Sequence, residues 1–228
     1  MVPFAAIAQL RNNLNLENHD SKKIRFGINA GVNKSYFNFA HNPLFLTQDS
    51  ITAIESVNNY GVNLAWLLNL NLSQHFDLRT YPINLTFAER AFEYSMKTPD
   101  PARGEKPITT KRVQSIVLSL PVQIKFSSDR INNFKVYTIA GGRVDYDLNS
   151  TNPDKNDGSS ATISLNKINY SVEGGIGFHF YFPYFVLSPE LKLGWGLSNL
   201  HNRNLDSKFS AAIDKISSRM LSFSLTIE

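Results

Sequence analysis

From about residue 24 onward, apolar residues recur at every second position in run after run. Phe26, Ile28, Ala30 and Val32 alternate with Gly27, Asn29, Gly31 and Asn33, and Tyr60, Val62, Leu64, Trp66, Leu68 and Leu70 alternate with Gly61, Asn63, Ala65, Leu67, Asn69 and Asn71. A helix over 60–73 would carry asparagine around its whole circumference, so the period of two makes this stretch a strand. The same alternation predicts strands over 115–126, 168–180, 185–198 and 221–228. Two further strands, roughly 76–96 and 134–148, bring the set to eight. The first of these changes phase near Tyr81 and Pro82, which predicts a bulge, because a proline inside a strand removes a ladder hydrogen bond.

The connections alternate in length. Residues 73–75, 127–133 and 182–184 are short corners, whereas 39–59, 97–107, 149–161 and 199–215 are long and polar. Short turns at one end and long loops at the other are the layout of an outer-membrane barrel. The expected fold is therefore all-β: an eight-stranded antiparallel transmembrane barrel over 25–228, with short periplasmic turns and long extracellular loops. Residues 9–24 form an N-terminal periplasmic segment. Residues 1–8 read as the remnant of a signal peptide, since Ala6-Ile7-Ala8 before Gln9 fits a small-x-small cleavage pattern.

Alternation by itself fits a soluble, lipocalin-like barrel equally well. Size separates the two, because an eight-stranded lumen is only just wide enough for side chains to fill. The apolar parity holds Trp66, Trp195 and much Phe and Leu, which is too bulky for that space. The other parity is mainly Gly, Ser and Asn, which suits a packed lumen and lacks the Lys and Glu of a soluble exterior. Aromatic residues gather at both strand ends, with Phe76, Phe126, Phe134, Phe182 and Tyr184 by the short turns and Tyr36, Tyr60, Tyr94 and Tyr146 by the long loops. Such belts mark membrane interfaces.

Composition agrees. The 228 residues are 42% hydrophobic, 12% aromatic and 18% charged, against roughly 25% charged in an average soluble domain. Helical membrane spans would need runs of about twenty apolar residues, which are missing, and Leu, Ile, Val and Phe are too plentiful for disorder. The net charge of +4 is spread thinly, so no nucleic-acid partner is expected. There is no cysteine, which excludes disulfides and thiolate metal sites.

The inward parity places Lys125, Arg143, Asp145, Glu173, Glu190, Lys192 and Arg90 in the lumen as a charge network that must neutralise itself, since an unpaired buried charge costs several kcal/mol. Chemistry is otherwise sparse. The five histidines form no zinc motif, and Asp154-Lys-Asn-Asp-Gly158 misses the spacing of a calcium loop. Gly174, Gly175 and Gly177 lie in a strand, where they relieve crowding instead of cradling phosphate. No nucleophile elbow occurs. A rim hydrolase using His201 and a loop serine is a remaining alternative, but no catalytic residue, cofactor, metal or small-molecule substrate is expected.

Several segments resemble PorT-like outer-membrane proteins of the Bacteroidetes type IX protein-secretion system. They are Leu78 to Arg90 (LRTYPINLTFAER) with Tyr94, Leu120-Pro121 with Lys125, Arg130 to Asn133 with Gly141-Gly142, Tyr184 to Lys192, and Asn199, Ile213-Asp214 and Ser218-Arg219 before the closing Leu-Ser-Phe run. The resemblance implies an eight-stranded barrel that serves protein export and gliding motility as an accessory or assembly component beside a larger pore. Its partners would be outer-membrane lipid and other type IX components. Docking would use the long loops, segment 9–24 or the polar, basic turn Arg130, Ile131, Asn132 and Asn133. The sequence ends in Glu228 where outer-membrane barrels commonly carry an aromatic residue, leaving Phe223 as the nearby candidate for the insertion signal. The alternative function is an OmpA/OmpX-like structural or adhesin barrel.

Overall fold

The computed structural model describes residues 14–41, 51–57, 59–96, 108–148, 164–199, 201–202 and 213–228, with the backbone alone in the outer strand ends. Its strands are β1 (Ile24–His41), β2 (Ile51–Val57), β3 (Asn59–Asn71), β4 (Phe76–Met96), β5 (Ile108–Ser127), β6 (Phe134–Asp147), β7 (Ser164–Leu165), β8 (Ile168–Tyr181), β9 (Val186–Gly196), β10 (His201–Asn202) and β11 (Ile213–Ile227). The ring runs β1-β3-β4-β5-β6-β8-β9-β11 and closes back on β1, each neighbour antiparallel. This is the eight-stranded barrel that the periodicity calls for, and closure leaves no strand edge to face lipid.

The apolar parity faces outward. Phe26 is 62% exposed and Trp66 57%, whereas Asn29, Asn69 and Arg79 are buried. Two belts frame the apolar band. At the short turns Phe76 packs on Phe126 with ring centres 5.1 Å apart, Phe134 on Phe180 at 5.3 Å and Phe182 on Phe185 at 4.9 Å. At the other end Tyr36, Tyr60 and Tyr146 are exposed; the side chain of Tyr94 lies outside the described residues. The thirteen residues from Phe134 to Tyr146 on β6 span about 40 Å of strand, or roughly 30 Å of bilayer at a tilt of about 40°. That matches a hydrocarbon core.

The bulge sits at Pro82. Trp66 pairs with Ile83 but Leu68 pairs with Thr80, and β5 shows the same single extra residue in β4 between Thr80 and Leu85. Asp77, Arg79 and Tyr81 point inward below it, Pro82 and Ile83 both point outward, and Asn84 and Thr86 resume the inward face.

The outer strand ends run further than alternation indicates. β1 reaches His41, β2 and β10 lie within segments read as loops, β5 begins at Ile108, and β11 begins at Ile213. Beyond the tyrosine belt neither face meets lipid, so pairing there rests on the backbone and leaves no period of two in the side chains. The proposed signal remnant at 1–8 and the 154–158 loop lie outside the described residues.

Candidate functional site

The lumen is filled by side chains from the eight strands of the ring, in three layers. At the periplasmic end, Asp77 accepts from Arg25 Nη2 and from Lys125 Nζ, both at 2.7 Å. One carboxylate on β4 thus ties β1 to β5. Lys125 also lies 3.3 Å from Nε2 of His179. An ammonium has no lone pair, so Nε2 accepts and the opposite nitrogen carries the proton, with Nδ1 2.6 Å from Ser188 Oγ.

The middle layer is built around Glu190. Arg79 donates to its carboxylate, Tyr137 donates to Oε1 at 2.7 Å, and Lys192 Nζ stands 3.2 Å from Oε2. Tyr81 and Tyr137 are about 1% exposed. The Arg79 guanidinium lies 5.2 Å from the centre of the Tyr137 ring, and Lys192 lies 5.0 Å from that of Tyr81. Gly177 makes room for Tyr137, since a Cβ there would collide with Cζ of the phenol ring.

In the outer layer Arg143 bridges Asp145 at 2.8 Å and Glu173 at 3.2 Å. Gln123 donates to Glu173, and Ser119 donates to Asp145 at 2.6 Å. Asn33, Asn63, Asn84 and Thr86 border a cavity of about 30 Å³ beside Arg143, with another of about 20 Å³ above it. Spaces of that size hold single waters, which would satisfy the amides of Asn33 left without a protein partner.

Among the described residues, the ion pairs of lumen and mouth balance. Arg25, Arg79, Lys125, Lys135, Arg143 and Lys192 meet Asp20, Asp77, Asp145, Glu173, Glu190 and Glu228. Six cations thus face six anions, and the pairing matters because stripping a buried charge of its partner costs roughly 3–5 kcal/mol.

Lys125, Arg143, Asp145, Glu173, Glu190 and Lys192 all lie in this network, while the side chain of Arg90 falls outside the described residues. Arg25, Asp77, Arg79, Lys135, Tyr81, Tyr137 and His179 are additional members that the sequence reading missed. Arg25, Lys135, Tyr137 and His179 sit on inward parities that were legible. Asp77 and Arg79 were hidden by the phase change at Pro82.

The turn at 128–133 is engaged by the chain itself. Arg130 stacks its guanidinium 3.7 Å from the centre of the Tyr181 ring and donates to the carbonyls of Asn15 and Leu16. It also holds Asn133 Oδ1 at 2.9 Å, which in turn accepts from the Asn15 backbone at 2.9 Å. Leu16 and Asn132 both take left-handed backbone angles, φ 52° and 54°, a conformation costing roughly 1–2 kcal/mol for a non-glycine residue. Asp20 caps the mouth. Its Oδ1 accepts from Tyr181 at 2.8 Å, and Arg25 and Lys135 each approach to 3.7 Å. Burial pushes the Asp20 carboxyl up, but the hydrogen bonds of His19 and Tyr181 and the charges of Lys135 and Arg25 outweigh it and hold the group well below the usual carboxylate range.

No curated protein sequence matches the chain. Among solved structures it is similar to Neisserial surface protein A, with 10% identity over 90% of this chain and 99% of that one at a TM-score of 0.45. It is also similar to the attachment invasion locus protein Ail of Yersinia pestis, solved in complex with a heparin analogue, with 14% identity, 90% and 99% coverage and a TM-score of 0.42. OprG of Pseudomonas aeruginosa shares 9% identity over 89% and 92% at a TM-score of 0.44. The family model for the outer membrane protein beta-barrel domain matches residues 7–202. With the closed barrel, its outward apolar parity and its aromatic belts, that match makes this chain a member of the outer membrane protein beta-barrel domain family, resident in the outer membrane.

Proposed function

We propose that the chain is a non-enzymatic, non-conducting barrel that stabilises the envelope and presents its outer segments for adhesion. The observation that carries this reading is the packed lumen. Arg79, Glu190, Tyr81 and Tyr137 fill its middle, which suits a rigid scaffold and leaves no room for a substrate. The test is a gene deletion complemented with the full chain or with a variant scrambled over 149–163. Deletion should raise detergent sensitivity and lower surface attachment, and the scrambled variant should restore only the first. A deletion strain unchanged in both would overturn the proposal.

A second reading is an accessory role in type IX secretion and the gliding associated with it. The residues that carry the PorT resemblance include Arg79, Lys125, Arg130, Glu190 and Lys192, and these run from the periplasmic turn to the middle of the lumen. What supports this reading is the clamp of Arg130 on Asn15 and Leu16, which joins the N-terminal segment to the turn at 128–133 on the periplasmic side. Cross-linking pull-down from native membranes should then recover other secretion components. Unimpaired cargo secretion in the deletion strain would rule it out.

A further inference from the structure

The lipid face is not uniform. Beside the bulge it sinks into an apolar groove of about 600 Å³, bordered by Phe26 and Ile28 of β1, Leu64 and Trp66 of β3, and Ile83 and Leu85 of β4. The hollow follows from the backbone. The extra residue at Pro82 turns two successive side chains outward, so Ile83 stands opposite Trp66 and Leu85 opposite Leu64. A volume of that size suits a ligand in place of a bare undulation.

Its height in the membrane selects the leaflet. Ile28 pairs with Trp66, and Ile24 pairs with Leu70 beside the periplasmic phenylalanine belt, whereas Tyr60 pairs with Lys34 near the outer belt. The groove, at the level of residues 26–30 of β1, therefore lies in the periplasmic half. At the periplasmic start of the same strand the exposed Lys22 and Lys23 immediately precede β1. Lys23 is three residues from Phe26, about 10 Å along an extended chain, which is the reach from a headgroup phosphate to the upper part of its acyl chain.

We infer that this groove binds an anionic glycerophospholipid of the periplasmic leaflet, its acyl chain along Trp66 and Ile83 and its phosphate on Lys22 and Lys23. Positive charge beside an anionic headgroup supplies the selectivity, and the concave apolar surface supplies the residence.

Trp66 makes the site readable. In a W195F background it is the sole tryptophan, and lipids brominated on the acyl chain quench it on contact. Full-length protein is reconstituted in phosphatidylcholine vesicles carrying traces of brominated phosphatidylglycerol or brominated phosphatidylcholine. The anionic lipid should associate at least about threefold more strongly, the scale expected of basic residues near a headgroup. The preference should vanish in K22Q/K23Q and persist in K34Q, and I83F, which fills the groove, should weaken association of both lipids. Equal association of the two lipids, a preference untouched by K22Q/K23Q or lost in K34Q, or an unchanged constant in I83F would each overturn the inference. Absence of quenching by either lipid would also overturn it, in favour of a second copy covering the groove.

Discussion

The ring of Tyr137 occupies the space left by the missing side chain of Gly177, and from there its hydroxyl donates to Glu190 at 2.7 Å. One glycine on β8 thus sets the position of the central lumen carboxylate on β9. Substituting Gly177→Ala should destabilise the barrel by about 1–3 kcal/mol, the range for overpacking a filled interior. Urea unfolding in micelles, followed by the shift between folded and unfolded mobility on gels, reads the loss. Combining it with Tyr137→Leu should recover part of it, because the clash goes with the ring.

Glu190 anchors Arg79, Tyr137 and Lys192 together. Glu190→Gln should therefore cost roughly 3–5 kcal/mol, since it strips buried Arg79 and Lys192 of their shared counter-charge and leaves Arg79 only the longer contact to Glu228 at 3.5 Å. The double variant Arg79→Met, Glu190→Leu should cost clearly less than the two single losses added. Strict additivity in that cycle would show that the two side chains do not interact.

Arg130 is the clasp of the N-terminal segment. Arg130→Ala removes the donors to Asn15 and Leu16 and should speed proteolytic cleavage within 14–23 at least about tenfold, with melting of the barrel barely changed, because the strand ladders supply the global stability and the segment opens locally. Arg130→Lys should give only partial protection, since an ammonium neither forks nor stacks as a guanidinium does.

The same segment should respond to acid with a defined sign. The Asp20 carboxyl is held below its ordinary value in the folded protein, so the stabilisation it brings is fully present above an unfolded value of about 3.9 and is lost as pH falls below it. Protection of residues 14–23 should be level from pH 8 to about 5 and decline only under stronger acid. Asp20→Asn should lower the plateau and flatten that decline. A decline centred near neutrality would show that Asp20 does not control the segment.

Much of the barrel was legible in the residues themselves. A lipid face and a packed lumen demand opposite chemistry at successive positions, so Phe26 and Trp66 declare themselves outward while Asn29 and Asn69 declare themselves inward. Where one of those demands lapses, so does the signal. Ile213 to Ile216 pair with β1 beyond the membrane, where a polar strand and a polar loop look alike. At Pro82 a single inserted residue shifts the parity, and this is why Arg79, the cation at the centre of the lumen, was missed although Glu190 was found. The segment 9–24 was legible as a periplasmic stretch but its place on the barrel was not, because its docking on Arg130, Tyr181 and Asn133 depends on contacts more than a hundred residues away.

The central claim is that this barrel is a sealed scaffold, its lumen closed by paired charges from the Asp20 cap to Arg143. Conductance across a planar bilayer holding the full-length protein tests it most directly. No resolvable current steps should appear, either for the native chain or for Arg130→Ala, in which the cap is loosened but the Arg79–Glu190 layer remains. Discrete openings in the native protein at ordinary holding voltages would contradict it.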